Sequence, residues 1–491
     1  MNAQISRVAV GALVLLSALI VATTYWQTWA AAGLADRRDN SIQRVAQFEI
    51  DRGRILAADG RTVLARNVRK RVGDKTLYFR RYPTGGLFAH AVGYSTQLLS
   101  RTGLERSQND FLTASNANLS TVVDRTLDSL RGKTIRGNDL VVTLHPRAQR
   151  VAMGALAGNC GSVAAIEPST GRVLVLASRP TYNPNLVERP GGFARITRKR
   201  GGCQSPLLNR ATAGLYPPGS IFKVVTGTAA LESGDYSPAS RFVDPGYCIE
   251  YGRRVQNYDT SRPFGSVNLH QALQYSINSV FCEIGKRLGG LEILDQAQRF
   301  GFYSDPPLDT PPEERAPSGL YDDNRLYRPK DRFDVDPGRL AFGQERMLVT
   351  PLQMAIVAAA VGNRGVVMQP TLVRRVQARD GSVVSRPGPN ELGRVMSAKN
   401  ASDLTAMMQS AVSSGTGTAA QISGVSVAGK TGTAETGVAG RNHTWFIAFA
   451  PAESPRVAIA VVVENQSGTG GTVAAPIAKQ VMEALLRTGR T

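Results

Sequence analysis

The chain opens with a stretch that no water-soluble surface accommodates: from Val8 to Ala35 there is no charged residue, and Val8 to Ala22 is almost wholly apolar. A helix rising about 1.5 Å per residue crosses a hydrocarbon core of roughly 30 Å in about 20 residues. Residues 8–29 therefore read as a membrane anchor. Tyr25, Trp26 and Trp29 supply an interfacial aromatic belt, and Arg7 with the amino terminus favours leaving residues 1–7 in the cytoplasm. That orientation exports everything that follows. Ala30-Ala31-Ala32 also fits the cleavage site of a removable signal peptide, with Arg37, Arg38 and Arg44 beyond it. Of the two, an uncleaved anchor is the expectation.

The rest is too long for one comfortable core. At 491 residues, with 42% hydrophobic and 20% charged positions, the composition is that of folded soluble domains and argues against a disordered, collagen-like or multi-span chain. The net charge of +20 draws the surface toward polyanions: nucleic acid, anionic lipid or an acidic wall polymer. The basic residues are scattered, with only small clusters such as Arg198-Lys199-Arg200, and no zinc-finger spacing or aromatic ribonucleoprotein motif accompanies them. Nucleic-acid binding is disfavoured on that ground. Cys160, Cys203, Cys248 and Cys282 fall in the exported part, where disulfides persist; three pairings are open, and so is the fully reduced state. No Cys-x-x-Cys occurs, and His90, His145, His270 and His443 stand far apart, so no metal site is expected.

Asp51 to Ala65 reads as a hairpin around Asp59-Gly60, with basic and polar strands continuing to about Ser95. A helix over 103–112, a strand over 140–144 and a helix over 147–156 follow, with a domain boundary near that helix. This divides the chain into an amino-terminal domain, 30–146, and a second domain, 147–491. In the second, strands over 161–166 and 172–177 flank a Pro-Ser-Thr-Gly turn, and strands over 425–428, 444–449 and 457–463 complete an antiparallel sheet. Between them lie helical stretches over 222–232, 269–288, 351–361 and 402–413, and Pro476 opens a last amphipathic helix to Leu486. Pro306 to Pro317 and Arg386 to Pro389 read as loops, and no internal repeat is present. An antiparallel sheet with a helical insertion is α+β.

Pro217-Pro-Gly-Ser220-Ile-Phe-Lys223 sets a serine at the start of an apolar helix, with a lysine three residues on and on the same face. A serine hydroxyl is a poor nucleophile until a base takes its proton, and a lysine desolvated by Ile221, Phe222, Val224 and Val225 has a pKa low enough to do so. Ser276-Ile-Asn278 sits at a break in a helical stretch; it offers a hydroxyl to relay a proton and an amide to bind a carbonyl. Lys430-Thr431-Gly432-Thr433 follows the strand over 425–428, where glycine allows close backbone approach and a lysine with hydroxyls holds a carboxylate. Each motif alone is weak: Ser-x-Asn recurs at Ser107-Gln-Asn109, and a capping serine or a strand-end turn explains the others. The specificity lies in the ordered triple.

Ser-x-x-Lys, Ser-x-Asn and Lys-Thr-Gly in this order resemble the signature of penicillin-binding proteins and serine β-lactamases. Arg52-Gly-Arg-Ile with Asp59-Gly60, Gly103-Leu-Glu105, Ile166 to Gly171, Gly343-Gln344 with Thr350-Pro-Leu-Gln353, and Gly415-Thr-Gly-Thr418 extend the resemblance, specifically to class B penicillin-binding proteins, over nearly the whole chain. That resemblance implies a penicillin-binding transpeptidase domain, a smaller β-rich amino-terminal interaction domain and one transmembrane helix. It implies a peptidoglycan DD-transpeptidase acting on D-Ala-D-Ala stem peptides, inhibited by β-lactams and active in cell-wall synthesis and division. Ser220 would attack, Lys223 accept its proton, Ser276 relay it to the leaving amine, and Asn278 hold the peptide. Lys430 would support the network, Thr431, Gly432 and Thr433 would bind the substrate's end, and the backbone amides of Ser220 and Thr433 would form the oxyanion hole. No cofactor and no metal are implied; a membrane glycosyltransferase of the SEDS type and division proteins are the implied partners. Gln344-Glu345 departs from relatives that often carry glycine after the glutamine.

A DD-carboxypeptidase differs only in using water as acceptor, and the large amino-terminal domain argues against it. A β-lactamase or β-lactam sensor shares the triple, but no Glu-x-x-x-Asn element follows Ser276 to activate a deacylating water. A non-catalytic division scaffold is the rival from another class. Ser-His-Asp hydrolysis is disfavoured because no Gly-x-Ser-x-Gly elbow is present.

Overall fold

The computed structural model of the chain describes residues 2–26, 48–97, 99–115, 136–198, 203–260 and 263–487. Trp29, Ala30 to Ala32, Arg37, Arg38, Arg44, Lys199 and Arg200 lie outside the described residues. Asn2–Tyr25 is one helix, and none of its stretch Arg7–Tyr25 is buried against the rest of the protein. Among the described residues it is the one helix long and apolar enough to cross a membrane.

The second domain is built on a five-stranded antiparallel sheet. Its order is Ala428–Glu435, Asn442–Ala450, Val457–Gln466, Gly161–Ile166, Val173–Arg179, the last four of them where the sequence places them. Runs such as Val457 to Val463 are apolar at nearly every position because both faces are covered. Helices Pro146–Ala155 and Ala475–Arg487 pack on one face; Pro351–Gly362 and the helical insertion pack on the other. The first of the five is displaced from its expected position: it runs over Ala428–Glu435, not 425–428, so the Lys-Thr-Gly motif lies within a strand. Propensity misjudges it because glycines at 429 and 432 are weak strand formers, whereas ladder bonds to Asn442–Ala450 hold the whole segment extended. The stretch over 269–288 breaks into Leu269–Gln274 and Asn278–Leu288, and a further helix, Gly290–Arg299, had no counterpart in the sequence reading.

The amino-terminal sheet has six strands, in the order Val383–Ser385, Val373–Gln377, Asp139–Val142, Ile55–Leu56, Val63–Val72, Lys75–Arg81. The hairpin forms at Asp59-Gly60, where the Asp59 carboxylate accepts from Arg61 N, Thr62 N and Thr62 Oγ1. Two of its strands come from 373–385, beyond the boundary drawn along the chain. Strands do not continue to Ser95: past Tyr82 the chain turns into the short helices Gly85–Phe88 and Ala89–Val92. The helix over 103–112 is two turns, Gly103–Ser107 and Asn109–Leu112. The motifs at Arg52 and Glu105 meet in the domain core. Arg52 Nε and Arg80 Nε donate to the Glu105 carboxylate at 3.1 and 2.7 Å, and burial draws the Arg52 guanidinium down to about 10. Gly103 N then donates to both Glu314 oxygens, at 2.9 and 3.1 Å, joining this domain to the loop over 306–317.

Disulfides join Cys160 to Cys203 and Cys248 to Cys282, which settles the pairing that the sequence left open.

Candidate active site

Ser220 lies in the tight turn Gly219–Phe222 that leads into helix Lys223–Glu232. Gly219 has φ +54°, and a Cβ there would stand 2.9 Å from Thr433 O, so glycine alone lets the turn lie this close to strand Ala428–Glu435. Trp445 Nε1, from the neighbouring strand, donates to Pro217 O at 2.9 Å and clamps the turn from behind. Ser220 is half-buried in a cleft of 1210 Å³ that Ser276, Asn278, Thr431 and Thr433 also line.

Lys223 is fully buried, with its Nζ 5.4 Å from the Phe281 ring centre. Nζ donates to Ser276 O and Asn278 Oδ1, both at 2.7 Å, and stands 3.2 Å from Ser276 Oγ. Burial, and then the charge of Lys430, pushes its pKa well below the ordinary lysine value. A neutral amine has two hydrogens; the two carbonyl oxygens take both, which leaves the lone pair for a hydroxyl proton. Ser220 lines the same cleft as Ser276 and Asn278, the two residues that Lys223 Nζ contacts.

Ser276 occupies the helix break with φ +60°, a left-handed conformation that costs an ordinary residue about 1–2 kcal/mol. Bonds from Ser276 N to Leu273 O and from Ile277 N to Ala272 O hold it there. The break is what presents the Ser276 hydroxyl and the Asn278 amide to the same amine. Lys430 Nζ reaches Ser276 Oγ at 2.8 Å and Thr431 O at 2.9 Å, and burial holds its pKa down to about 7. Ser276 Oγ thus stands between two amines.

Strand Ala428–Glu435 is an edge strand, paired on one side only by Asn442–Ala450, so its other edge is open to a peptide backbone. Thr431 and Thr433 line the cleft along this edge. Gly432 alternates with them, and a Cβ on it would stand 3.0 Å from both Ile221 Cγ2 and Pro218 O, inside the serine turn. Every site residue expected from sequence is therefore brought to one cleft or directly behind it.

Three participants were not assigned a place by sequence reasoning. Thr416 Oγ1 lies 2.6 Å from Thr431 Oγ1 on the cleft wall, Phe281 closes the pocket around Lys223, and Trp445 fixes the turn. Thr416 belongs to the Gly415-Thr-Gly-Thr418 segment, the only signal that could have found it. Gln344 lines the cleft, while Glu345 accepts from Arg346 Nε at 2.9 Å, so the departure from glycine is absorbed by an ion pair. Cys248 and Cys282 lie beside Glu250 but are bonded to each other, so this group has no thiolate to offer a metal.

Residues 161–483 match the penicillin-binding protein transpeptidase domain, and residues 52–140 match the penicillin-binding protein A dimerisation domain. The chain belongs to the penicillin-binding protein family. The peptidoglycan D,D-transpeptidase PbpA of Mycolicibacterium smegmatis is 36% identical over 507 residues, covering 100% of both chains. Its namesake in Mycobacterium tuberculosis is 35% identical, covering 99% of both. The solved structure of penicillin-binding protein A from M. tuberculosis, as a ceftriaxone acyl-enzyme, superimposes with a TM-score of 0.79 at 32% identity, covering 90% of this chain and all of that one. Penicillin-binding proteins of this class therefore supply the fold, and the Ser220 cleft lies within the matched transpeptidase domain.

Proposed function

We propose that the protein is a membrane-anchored, penicillin-sensitive peptidoglycan D,D-transpeptidase that works through a Ser220 acyl-enzyme. The observation that carries this reading is the Lys223–Ser276–Lys430 network behind the cleft that Ser220 lines, beside an open strand edge, in a chain similar along its length to named D,D-transpeptidases. The stem peptide lies along the edge of Ala428–Glu435 with its terminal carboxylate at Thr431 and Thr433 and its backbone passed by Gly432. Asn278 holds the peptide on the opposite wall.

Ser220 Oγ attacks the carbonyl carbon of the penultimate D-alanine, and its proton passes to the Lys223 lone pair. The oxyanion lies against the backbone amides of Ser220 and Thr433, an arrangement in which each donor is worth about 10² to 10³ in rate. Lys223 and Ser276 pass the proton to the leaving D-alanine nitrogen, the C–N bond breaks, and an ester on Ser220 remains. Lys430 keeps the Ser276 hydroxyl oriented. The amine of a neighbouring stem peptide then attacks the ester carbon, loses its proton through the same network and frees Ser220. A β-lactam enters by the same attack, and its opened ring remains attached in place of a departing amine.

The helix Asn2–Tyr25 supports a single-pass anchor with residues 1–7 inside and the folded domains outside. We assign residues 30–146 as an interaction domain and 147–491 as the transpeptidase domain; a SEDS-type glycosyltransferase and division proteins are the proposed partners of the former. The reaction is tested by giving the full chain nascent glycan bearing pentapeptide stems and separating the products by mass. Cross-linked dimers carrying one fewer D-alanine are expected. Release of D-alanine without dimers would make the protein a carboxypeptidase.

A further inference from the structure

Asp244 is almost completely buried, and four donor groups converge on its carboxylate. Oδ1 accepts from Gly246 N at 2.8 Å, Asn257 Nδ2 at 3.0 Å and Ser279 Oγ; Oδ2 accepts from Asn257 Nδ2 at 2.9 Å and Phe264 N at 2.8 Å. These bonds favour the ionised form and hold its pKa below the usual carboxylate range despite burial. Every partner is a donor, so no neutral side chain of this shape satisfies the site: an asparagine amide would set an N–H against one set of donors whichever way it turned.

The donors belong to the segments that form one wall of the Ser220 cleft. Ser279 follows Asn278 at the start of helix Asn278–Leu288. Asn257 Oδ1 also accepts from Ser279 N at 3.0 Å, and its neighbour Gln256 accepts from Asn278 Nδ2 at 2.9 Å. Phe264 stacks on Tyr275, the residue before Ser276, with ring centres 5.5 Å apart. Beyond Asn278 stands Lys223 Nζ, 2.7 Å from Asn278 Oδ1. We propose that Asp244 is a positioning residue for the Ser220 reaction: its carboxylate ties the 256–257, 264 and 276–279 segments together and so sets where Ser276 and Asn278 stand against Lys223.

The geometry explains why this post has to be stiff. Ser276 holds a left-handed conformation that its own side chain does not favour, and the proton path depends on a hydroxyl kept between two amines. A displacement on the order of 1 Å there costs about a hundredfold in rate. Asp244 touches no reacting atom; it acts through Ser279 and Asn257.

The inference rests on the Ser220 acyl-enzyme reading, and wild-type protein in the same experiment separates the two. Full-length wild type, Asp244→Asn and Ser279→Ala are mixed with penicillin G, and intact mass over time resolves the non-covalent dissociation constant from the first-order acylation constant. The folded fraction comes from each protein's cooperative melt. In Asp244→Asn the acylation constant of the folded protein falls about 10- to 100-fold, with the dissociation constant changed by less than about twofold. Ser279→Ala, which breaks one bond only, loses several-fold in the same parameter and stays folded if Asp244→Asn does not. Folded variants that acylate at the wild-type rate, or a loss confined to the dissociation constant, would overturn the proposal. Failure of the wild type to acylate would instead remove the reading beneath it.

Discussion

Two amines cannot both carry a full charge on one half-buried hydroxyl, and the protein resolves this by burying Lys223 and Lys430 to different effect. Lys223 is pushed down first by desolvation and then by the charge of Lys430, which burial itself holds to about 7. Lys223 works as a base only when neutral, so acylation rises with pH as it loses its proton. Removing the positive charge of Lys430 removes a cause that lowers Lys223, so the Lys223 pKa must rise. In Lys430→Gln the ascending limb of the acylation-rate profile is therefore expected at higher pH than in the wild type, on top of a slower maximum. The profile is read from penicillin adduct formation between pH 5 and 9; a limb that stays in place or moves to lower pH contradicts this electrostatic assignment. The residues of this network were legible in the sequence as types and as an order. What the sequence lacks is their common centre: nothing in Ser276-Ile-Asn278 says that its hydroxyl meets two lysines from opposite sides, because that depends on a backbone twist at φ +60°.

At the scale of elements, the site is the meeting of a turn, an edge strand and a broken helix. Gly219 and Gly432 are the contact points between turn and strand. Alanine at Gly219 meets both a left-handed φ and the Thr433 carbonyl, so Gly219→Ala is expected to lose about 1–2 kcal/mol of stability from backbone strain alone. It should also slow acylation about tenfold or more by shifting Ser220. Chemical denaturation and adduct kinetics check the two effects, and wild-type values in both would show that the turn has room to spare. The second contact is covalent. Cys248–Cys282 ties hairpin Tyr247–Gln256 to helix Asn278–Leu288, and replacing both cysteines by alanine should cost about 2–4 kcal/mol in denaturant. A cost near zero would mean that hydrogen bonds alone hold the helix to the wall. The sheet strands were readable because their apolar runs match burial on both faces. The strand bearing Lys430 was not, since a polar, glycine-containing segment becomes a strand only when its neighbour's ladder and the serine turn are both present. Gly290–Arg299 was hidden for a related reason: its start at Gly289-Gly290 reads as a loop, while its apolar face at Ile293, Leu294 and Ala297 has meaning only against a core already formed.

Across the whole molecule, one helix is long and apolar enough to cross a membrane, and a sheet drawn from distant parts of the chain carries the link to the catalytic domain. The strands over 373–385 completing the amino-terminal sheet, and the Gly103–Glu314 bonds, show why a cut at one position along the sequence describes this division only loosely. Protein made in cells should stay in the membrane pellet after alkaline carbonate extraction, and its intact mass should retain residues 1–29. A soluble product beginning beyond Ala32 would identify a cleaved signal peptide. On this account the two disulfides belong to an exported enzyme, and their oxidised state in the recovered protein reports the same topology.

If Ser220 is an activated nucleophile, a β-lactam must acylate it. Intact mass of the full chain, followed over time after addition of penicillin G and then mapped by peptide, tests it most directly. One persistent adduct of drug mass is expected, located on Ser220 and absent from Ser220→Ala. An intact drug with no adduct, or an adduct on any other residue, would contradict it.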